Sequence, residues 1–315
     1  MIRRRTLLTT ALATATTIGL AACRDDDSTA DASNASDGGG KGKGVLKTVT
    51  IGKDLDKAPT VKFSAPLEIT RPESKIVVKG DGKTLTKGQT AVVHSAYVDA
   101  GTGKLLQSTW KGAPSTGLTI DQKVIGKEAA TFLTTVPQGS RFAMTGWQQS
   151  QQGQMVSLVQ VADVVGVTLP RATGKKQDPD PDLPAYTLGK KGAPKLSGKP
   201  SMTAPKKTMR HVAITGSGEK TAAGDTLFMH YTGWKLSDGS VFDSSWKKGT
   251  PFSFVLGKKQ VIPGWDDHLE GLPVGSQVLL VVPPSEGYGG SGNELDKETL
   301  VFVADILFSA PPVKS

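Results

Sequence analysis

The sequence predicts an α+β protein built twice over, each copy an antiparallel sheet wrapped around a short helix. Three observations carry that expectation. The chain repeats itself: Val77-Val78-Lys79-Gly80-Asp81-Gly82 aligns with Ala213-Ile214-Thr215-Gly216-Ser217-Gly218 at an offset of 136 residues, and the same offset pairs Gly88 with Gly224, His94 with His230, Trp110 with Trp246 and Pro137 with Pro273. Each copy reads as short β-branched and aromatic runs punctuated by Gly-containing turns. One short helical pattern among about five such runs points to a curved sheet packed on a helix.

In chain order, residues 1–22 read as a secretory signal: Arg3, Arg4 and Arg5, an apolar Thr- and Ala-rich run over 7–20, then small residues. The run is too short and too weakly apolar to span a bilayer. Leu20-Ala21-Ala22-Cys23 resembles the lipobox of bacterial lipoproteins, which implies lipidation of Cys23 and an anchor on the extracytoplasmic face of the bacterial cell membrane. Arg4-Arg5-Thr6-Leu7-Leu8 also resembles a twin-arginine signal, so both export routes stay open. Cys23 is the only cysteine, which excludes an intramolecular disulfide. Residues 23–46 hold little beyond Asp, Ser, Ala, Asn, Gly and Lys, a composition that cannot bury enough surface to order itself, and are expected to form a flexible tether.

The formal charge of +9 falls to +6 once the three signal arginines are removed. The remaining lysines are scattered through loops without interleaved aromatics, so nucleic acid is not an expected partner.

The repeats are expected over 47–166 and 190–311, with a semi-stiff linker at 167–189 that includes Asp178-Pro179-Asp180-Pro181-Asp182, and a tail at 312–315. Near the ends, Leu158-Val159-Gln160-Val161-Ala162-Asp163 matches Leu300-Val301-Phe302-Val303-Ala304-Asp305 at an offset of 142, which puts six extra residues in the loop after the Gly-Ser turn. In the second repeat, strands are expected over 208–214, 226–231, 252–256, 277–282 and 299–308, and the helix over 266–272, between Pro263-Gly264 and Pro273.

The stretch 228–265 concentrates aromatics in a chain where they are only 6% of residues, which suggests one apolar concavity. It contains V-F-D-S-S, P-F-S-F-V-L-G and Q-V-I-P-G-W-D, and is followed by G-Y-G and T-L-V-F. In this order and spacing the motifs resemble the FKBP-type peptidyl-prolyl cis-trans isomerases over nearly all of 206–309. The resemblance implies two half-barrels around short helices, rotamase activity on X-Pro bonds, proline-containing polypeptides as substrates, and the macrolides tacrolimus and rapamycin as ligands. It carries the catalytic positions onto Tyr231, Phe242, Asp243, Trp265, Tyr288 and Phe302, and the substrate-binding positions onto Phe252, Val261 and Ile262. Between Tyr288 and Thr299 the loop is shorter than in the best-known eukaryotic members, and Leu295 is expected to stand in for their bulky aliphatic over the pocket.

The chemistry explains those residue types. Rotation about an X-Pro bond is opposed by amide resonance, a barrier of about 18–20 kcal/mol, and makes or breaks no bond. It needs a dry aromatic surface that disfavours the planar, polarised amide relative to the twisted one. It needs no nucleophile, cofactor or metal. Asp266-Asp267-His268 are consecutive and do not share a face, and acids in a first helical turn are ordinary helix chemistry. Phe254 and Trp246 read as core.

The first repeat keeps the turns and loses the pocket. Tyr231 aligns with Ser95, Phe242 with Leu106, Asp243 with Gln107, Phe252 with about Ser115, Phe302 with Gln160, and Trp265 with one of Lys127, Glu128 or Ala129. It is expected to be inactive. The alternative for the whole chain is a peptide-binding chaperone module with little turnover. A transporter's substrate-binding lipoprotein would need more strand-helix alternation than this chain has.

Overall fold

The computed structural model describes residues 44–111, 113–150 and 153–313. Signal, lipobox and Cys23, and most of the expected tether, lie outside the described residues.

The architecture is rich in sheet, and no helix among the described residues exceeds seven residues. One antiparallel sheet runs in the order Ser74–Val78, Arg141–Gln149, Met155–Val167, Thr90–Asp99, Leu105–Ser108, with Thr116–Thr119 also paired to Thr90–Asp99. The other runs Val241–Ser244, Thr226–Lys235, Leu300–Ala310, Gln277–Val282, Met209–Thr215, Lys175–Lys176, with Phe252–Val255 paired to Thr226–Lys235. Apart from Lys175–Lys176, each strand of the second sheet has a counterpart in the first. Gln277–Val282 falls where expected. Thr226–Lys235 runs four residues past 231 because Leu300–Ala310 pairs with it along its length, and Val241–Ser244 is a strand that sequence reading did not mark.

The helix expected at 266–272 lies earlier, at Pro263–Asp266. Proline suits the first helical position, where its missing N–H would be unpaired anyway. Beyond Asp266 the chain continues in turns, with His268 N–H and Leu269 N–H donating to the Trp265 carbonyl at 3.2 and 3.1 Å. The shift brings Trp265 onto the helix.

The linker is tacked down rather than free. Lys175–Lys176 joins the second sheet beside Met209–Thr215, and Ala172 N–H donates to the buried Asp305 carboxylate at 2.7 Å. Leu183 and Leu196 pack on the outer face of that sheet with Trp234, Leu279 and Val301. Leu46, Val49 and Ile51 do the same for the first sheet. The two sheets also meet. Phe228 and Phe308 pack edge to face, 6.2 Å between ring centroids, against Val92, Gly117 and Gly166 of the first repeat. A Cβ at Gly166 would lie 2.5 Å from the Phe308 ring, so only glycine admits it.

Candidate functional site

The second sheet and the Pro263–Asp266 helix enclose a core whose open end is aromatic. Trp265, 4% exposed, lies at its base. Around the indole stand Tyr231 at 4.9 Å and 85°, Phe302 at 5.0 Å and 75°, and Phe252 at 6.1 Å and 70°, all edge-on. Phe242 meets Phe302 edge to face at 5.6 Å. Such geometry favours the ring quadrupoles and keeps the faces clear. Val261, Ile262 and Tyr288 are partly buried against the same cluster.

Local sequence builds this cup. Side chains two apart on a strand share a face, so Tyr231 and Gly233 point the same way, and Gly233 lies opposite Phe302 in the sheet. A Cβ at Gly233 would come within 2.6 Å of Phe242 Cζ and 2.8 Å of Phe302 Cε1. Glycine therefore makes room for both rings. Pro263 starts the helix that carries Trp265. Asp266 accepts from Gly257 N–H at 2.7 Å and Lys259 N–H at 2.8 Å, which ties down the loop before Val261.

The polar groups gather at one side of the rim. The Tyr231 hydroxyl donates to Asp243 Oδ2. Asp243 Oδ1 accepts from Ser244 N–H at 2.8 Å and pairs with Lys248 Nζ at 2.7 Å. Burial pulls the Asp243 carboxyl up, but Lys248, Tyr231 and Ser244 outweigh it and hold the group below its ordinary range. Burial, reinforced by the neighbouring carboxylate, raises Tyr231 and Tyr288. At neutral pH the site thus presents one anion with its donors and two un-ionised phenols. Behind Tyr231, His230 donates to or accepts from Ser245 Oγ at 2.9 Å and stacks on Trp246 at 4.1 Å. Burial pushes His230 down to about 4, so it is neutral.

The structure brings together Tyr231, Phe242, Asp243, Phe252, Val261, Ile262, Trp265, Tyr288 and Phe302. Leu295 is 9% exposed and packs into the core cluster. Phe254 is core, as expected. Trp246 is not: it is half-buried and stacked on His230. Sequence reading missed Gly233 and Lys248. The alternation of Thr226–Lys235 signals Gly233, whereas Lys248 needs the turn Ser245–Lys248 to bring it back to Asp243.

The first repeat holds the same frame around a filled centre. His94 and the Ser95 N–H meet Thr109 Oγ1 at 3.1 and 2.9 Å, as His230 and the Tyr231 N–H meet Ser245 Oγ. In the place of Gly233 stands Tyr97, 5% exposed, its hydroxyl accepting from Gln160 Nε2 at 3.1 Å. Strand register puts Thr116, rather than Ser115, opposite Val93 as Phe252 is opposite Met229. The buried Leu133 and Val136 match Leu269 and Leu272 at offset 136, which assigns Ala129 to the Trp265 position.

Among the described residues no three His, Cys, Asp or Glu side chains converge as a metal site. What the second repeat offers is a dry aromatic cup with an anchored carboxylate at its edge and no activated nucleophile, suited to a small apolar ring attached to a polar backbone.

Comparison with known proteins agrees with that chemistry. Residues 217–307 match the family described as FKBP-type peptidyl-prolyl cis-trans isomerase. An "FK506-binding protein" of Streptomyces anulatus is 43% identical over 96 residues, covering 29% of this chain and 77% of that protein. An "FK506-binding protein 2" of Emericella nidulans is 47% identical over 90 residues, covering 28% of this chain and 67% of that protein. The solved structure of FkpA from Escherichia coli is similar at 29% identity over 40% of this chain and 52% of that one, with a TM-score of 0.31. The family match falls wholly in the repeat that holds the open cup.

Proposed function

Since this chain belongs to the FKBP-type peptidyl-prolyl cis-trans isomerases, we propose that its activity resides in the second repeat, expected over 190–311, that the first, over 47–166, is inactive, and that each is a half-barrel around a short helix. The reading rests on one observation: in the second repeat Tyr231, Phe252 and Phe302 stand edge-on around Trp265, while the first has Ala129 at the matching floor position and Tyr97 at that of Gly233.

In this mechanism the prolyl ring sits on Trp265, walled by Phe242, Phe252, Phe302 and Val261. Water is excluded, and the planar amide, whose polarised carbonyl water solvates best, loses more than the twisted transition state does. The Ile262 N–H, which meets no acceptor among the described residues, and the Tyr288 hydroxyl hold substrate carbonyls. Asp243, fixed by Tyr231 and Lys248, lies beside the carbonyl that twists. No covalent intermediate forms.

The substrates are proline-containing segments of exported proteins, and tacrolimus and rapamycin compete for the cup, as the names of the relatives suggest. The anchor is a lipid on Cys23, outside the described residues, holding the protein on the extracytoplasmic face of the membrane. Peptide isomerisation tests the site: Asp243→Ala and Phe302→Ala should each slow it by about tenfold or more, and tacrolimus should inhibit. An unchanged rate with client binding intact would favour the chaperone reading. Cys23→Ala should release the protein into the medium, and continued membrane retention would count against lipidation.

A further inference from the structure

Tyr231 and Phe252, at one edge of the cup, also line a groove of about 710 Å³ between the repeats, whose far wall is the first-repeat segment 113–119. The filled mouth of that repeat, Tyr97 and Gln107, faces the same groove. Two features of the far wall are unspent. Among the described residues Thr116–Thr119 pairs on one side only, with Thr90–Asp99, so its second edge carries main-chain groups outside the ladder, of which the Thr119 carbonyl accepts from Asp121 N–H at 2.9 Å. The Ser115 and Thr116 hydroxyl oxygens are buried with no hydrogen-bond partner among the described residues, and Ser115 is only 4% exposed. Buried hydroxyls without partners are costly, and a ligand is one way to satisfy them. The groove is also uncharged: Lys248 is its only charged lining residue among those described, and Asp243 holds it.

We propose that the first repeat is a substrate-binding subsite, in which the extended, uncharged polypeptide flank of the prolyl bond adds as a strand along the free edge of Thr116–Thr119 while the proline occupies the Trp265 cup. This rests on the isomerase reading of the cup. The occupant follows from continuity with that site, since one chain entering the cup past Phe252 lies against the edge. Strand addition supplies affinity through main-chain hydrogen bonds, which read few side chains and so suit varied clients. It gives the inactive repeat a use that requires no pocket.

The test uses the full chain and two peptides: a short X-Pro peptide, and one with the same centre extended by about six residues on each side, roughly 20 Å of extended chain per flank. The long peptide should show a kcat/KM about tenfold or more above the short one. N-methylation of alternate flank amides, which removes the donors a strand needs, should bring the ratio back towards one, and so should Ala113→Trp, which fills the groove. A ratio near one in the unaltered protein, with the short peptide still turned over, overturns the subsite and leaves the isomerase reading standing. Either control leaving a high ratio unchanged also overturns it. If sedimentation shows a dimer and the ratio is near one, the groove belongs to a second copy of the chain. Turnover of neither peptide defeats the isomerase reading first, and the subsite with it.

Discussion

In the first repeat a tyrosine stands where the second has Gly233, whose missing side chain lets the rings of Phe242 and Phe302 close in; the cup residues around the two positions differ, but the frame that carries them is nearly alike. The same hydroxyl bridges histidine to strand, Thr109 in one and Ser245 in the other. The same tryptophan lies by that histidine, stacked at 4.1 Å in the second repeat and tilted at 5.8 Å in the first. The same strand order frames both. The frame is therefore separable from the cup. On the proposed function, groups present in both copies serve the sheet, and groups present only in the second serve the chemistry.

That division can be broken in four ways. Gly233→Tyr gives the second repeat the tyrosine of the first. With the Cβ alone within 2.6 Å of Phe242, peptide isomerisation should fall by more than about 100-fold and overpacking should cost about 1–3 kcal/mol. Retained activity would show that the tyrosine does not separate the copies. Trp265→Ala, the residue at the matching Ala129, should lose about tenfold or more in kcat/KM. It leaves walls and carboxylate in place, so the loss isolates the floor.

The third concerns the buried acids. Asp163 faces Arg141, which holds it with two bonds of 2.6 and 2.7 Å. Its counterpart Asp305 accepts from Gln277 Nε2 and the Ala172 N–H, with no arginine bonded to it among the described residues, and burial pushes it up from 3.8 to about 6. A raised acid favours the protonated folded state, so its contribution is full below pH 3.8 and is lost as pH rises through about 6. Urea unfolding should show the stability of the natural protein, relative to Asp305→Asn, declining by about 1–3 kcal/mol between pH 4 and 7. A flat difference would mean that the folded state does not favour the protonated Asp305. The smallest effect belongs to Trp246→Ala. Because Trp110 holds the same place in the first repeat, kcat/KM should change by less than about twofold, and a larger loss would move the His230 stack from frame to site.

Much of this was legible in the chain. The repeat and the strand Gln277–Val282 follow from residue types at fixed spacing and the nine cup positions from the family resemblance of the motifs, and the structure gathers those nine residues. What escaped reading depended on absence or on contacts distant in sequence. Gly233 matters for the side chain it lacks, and Tyr97 for lying where that lack would be. The expected loss of the pocket rested on Ser95, Leu106 and Gln107, and Tyr97 went unmarked because only strand register places it opposite Gln160. Lys248 reaches Asp243 only through a four-residue turn. The linker read as semi-stiff and extended because Pro and Asp dominate it, yet its Leu183 packs on the sheet, beside Leu196 from just beyond it.

The Asp266 carboxylate has a reach beyond its two hydrogen bonds. It joins the helix that carries Trp265 to the amides of Gly257 and Lys259, both exposed in sequence neighbours and solvent alike, and it holds Lys259 at a φ of 55°, a conformation few side chains accept. Those two amides should exchange with deuterium far more slowly than their exposure suggests, because freeing them means loosening the indole's own support. An exchange experiment on this surface loop would thus report on the state of a buried floor, in a protein with no substrate present.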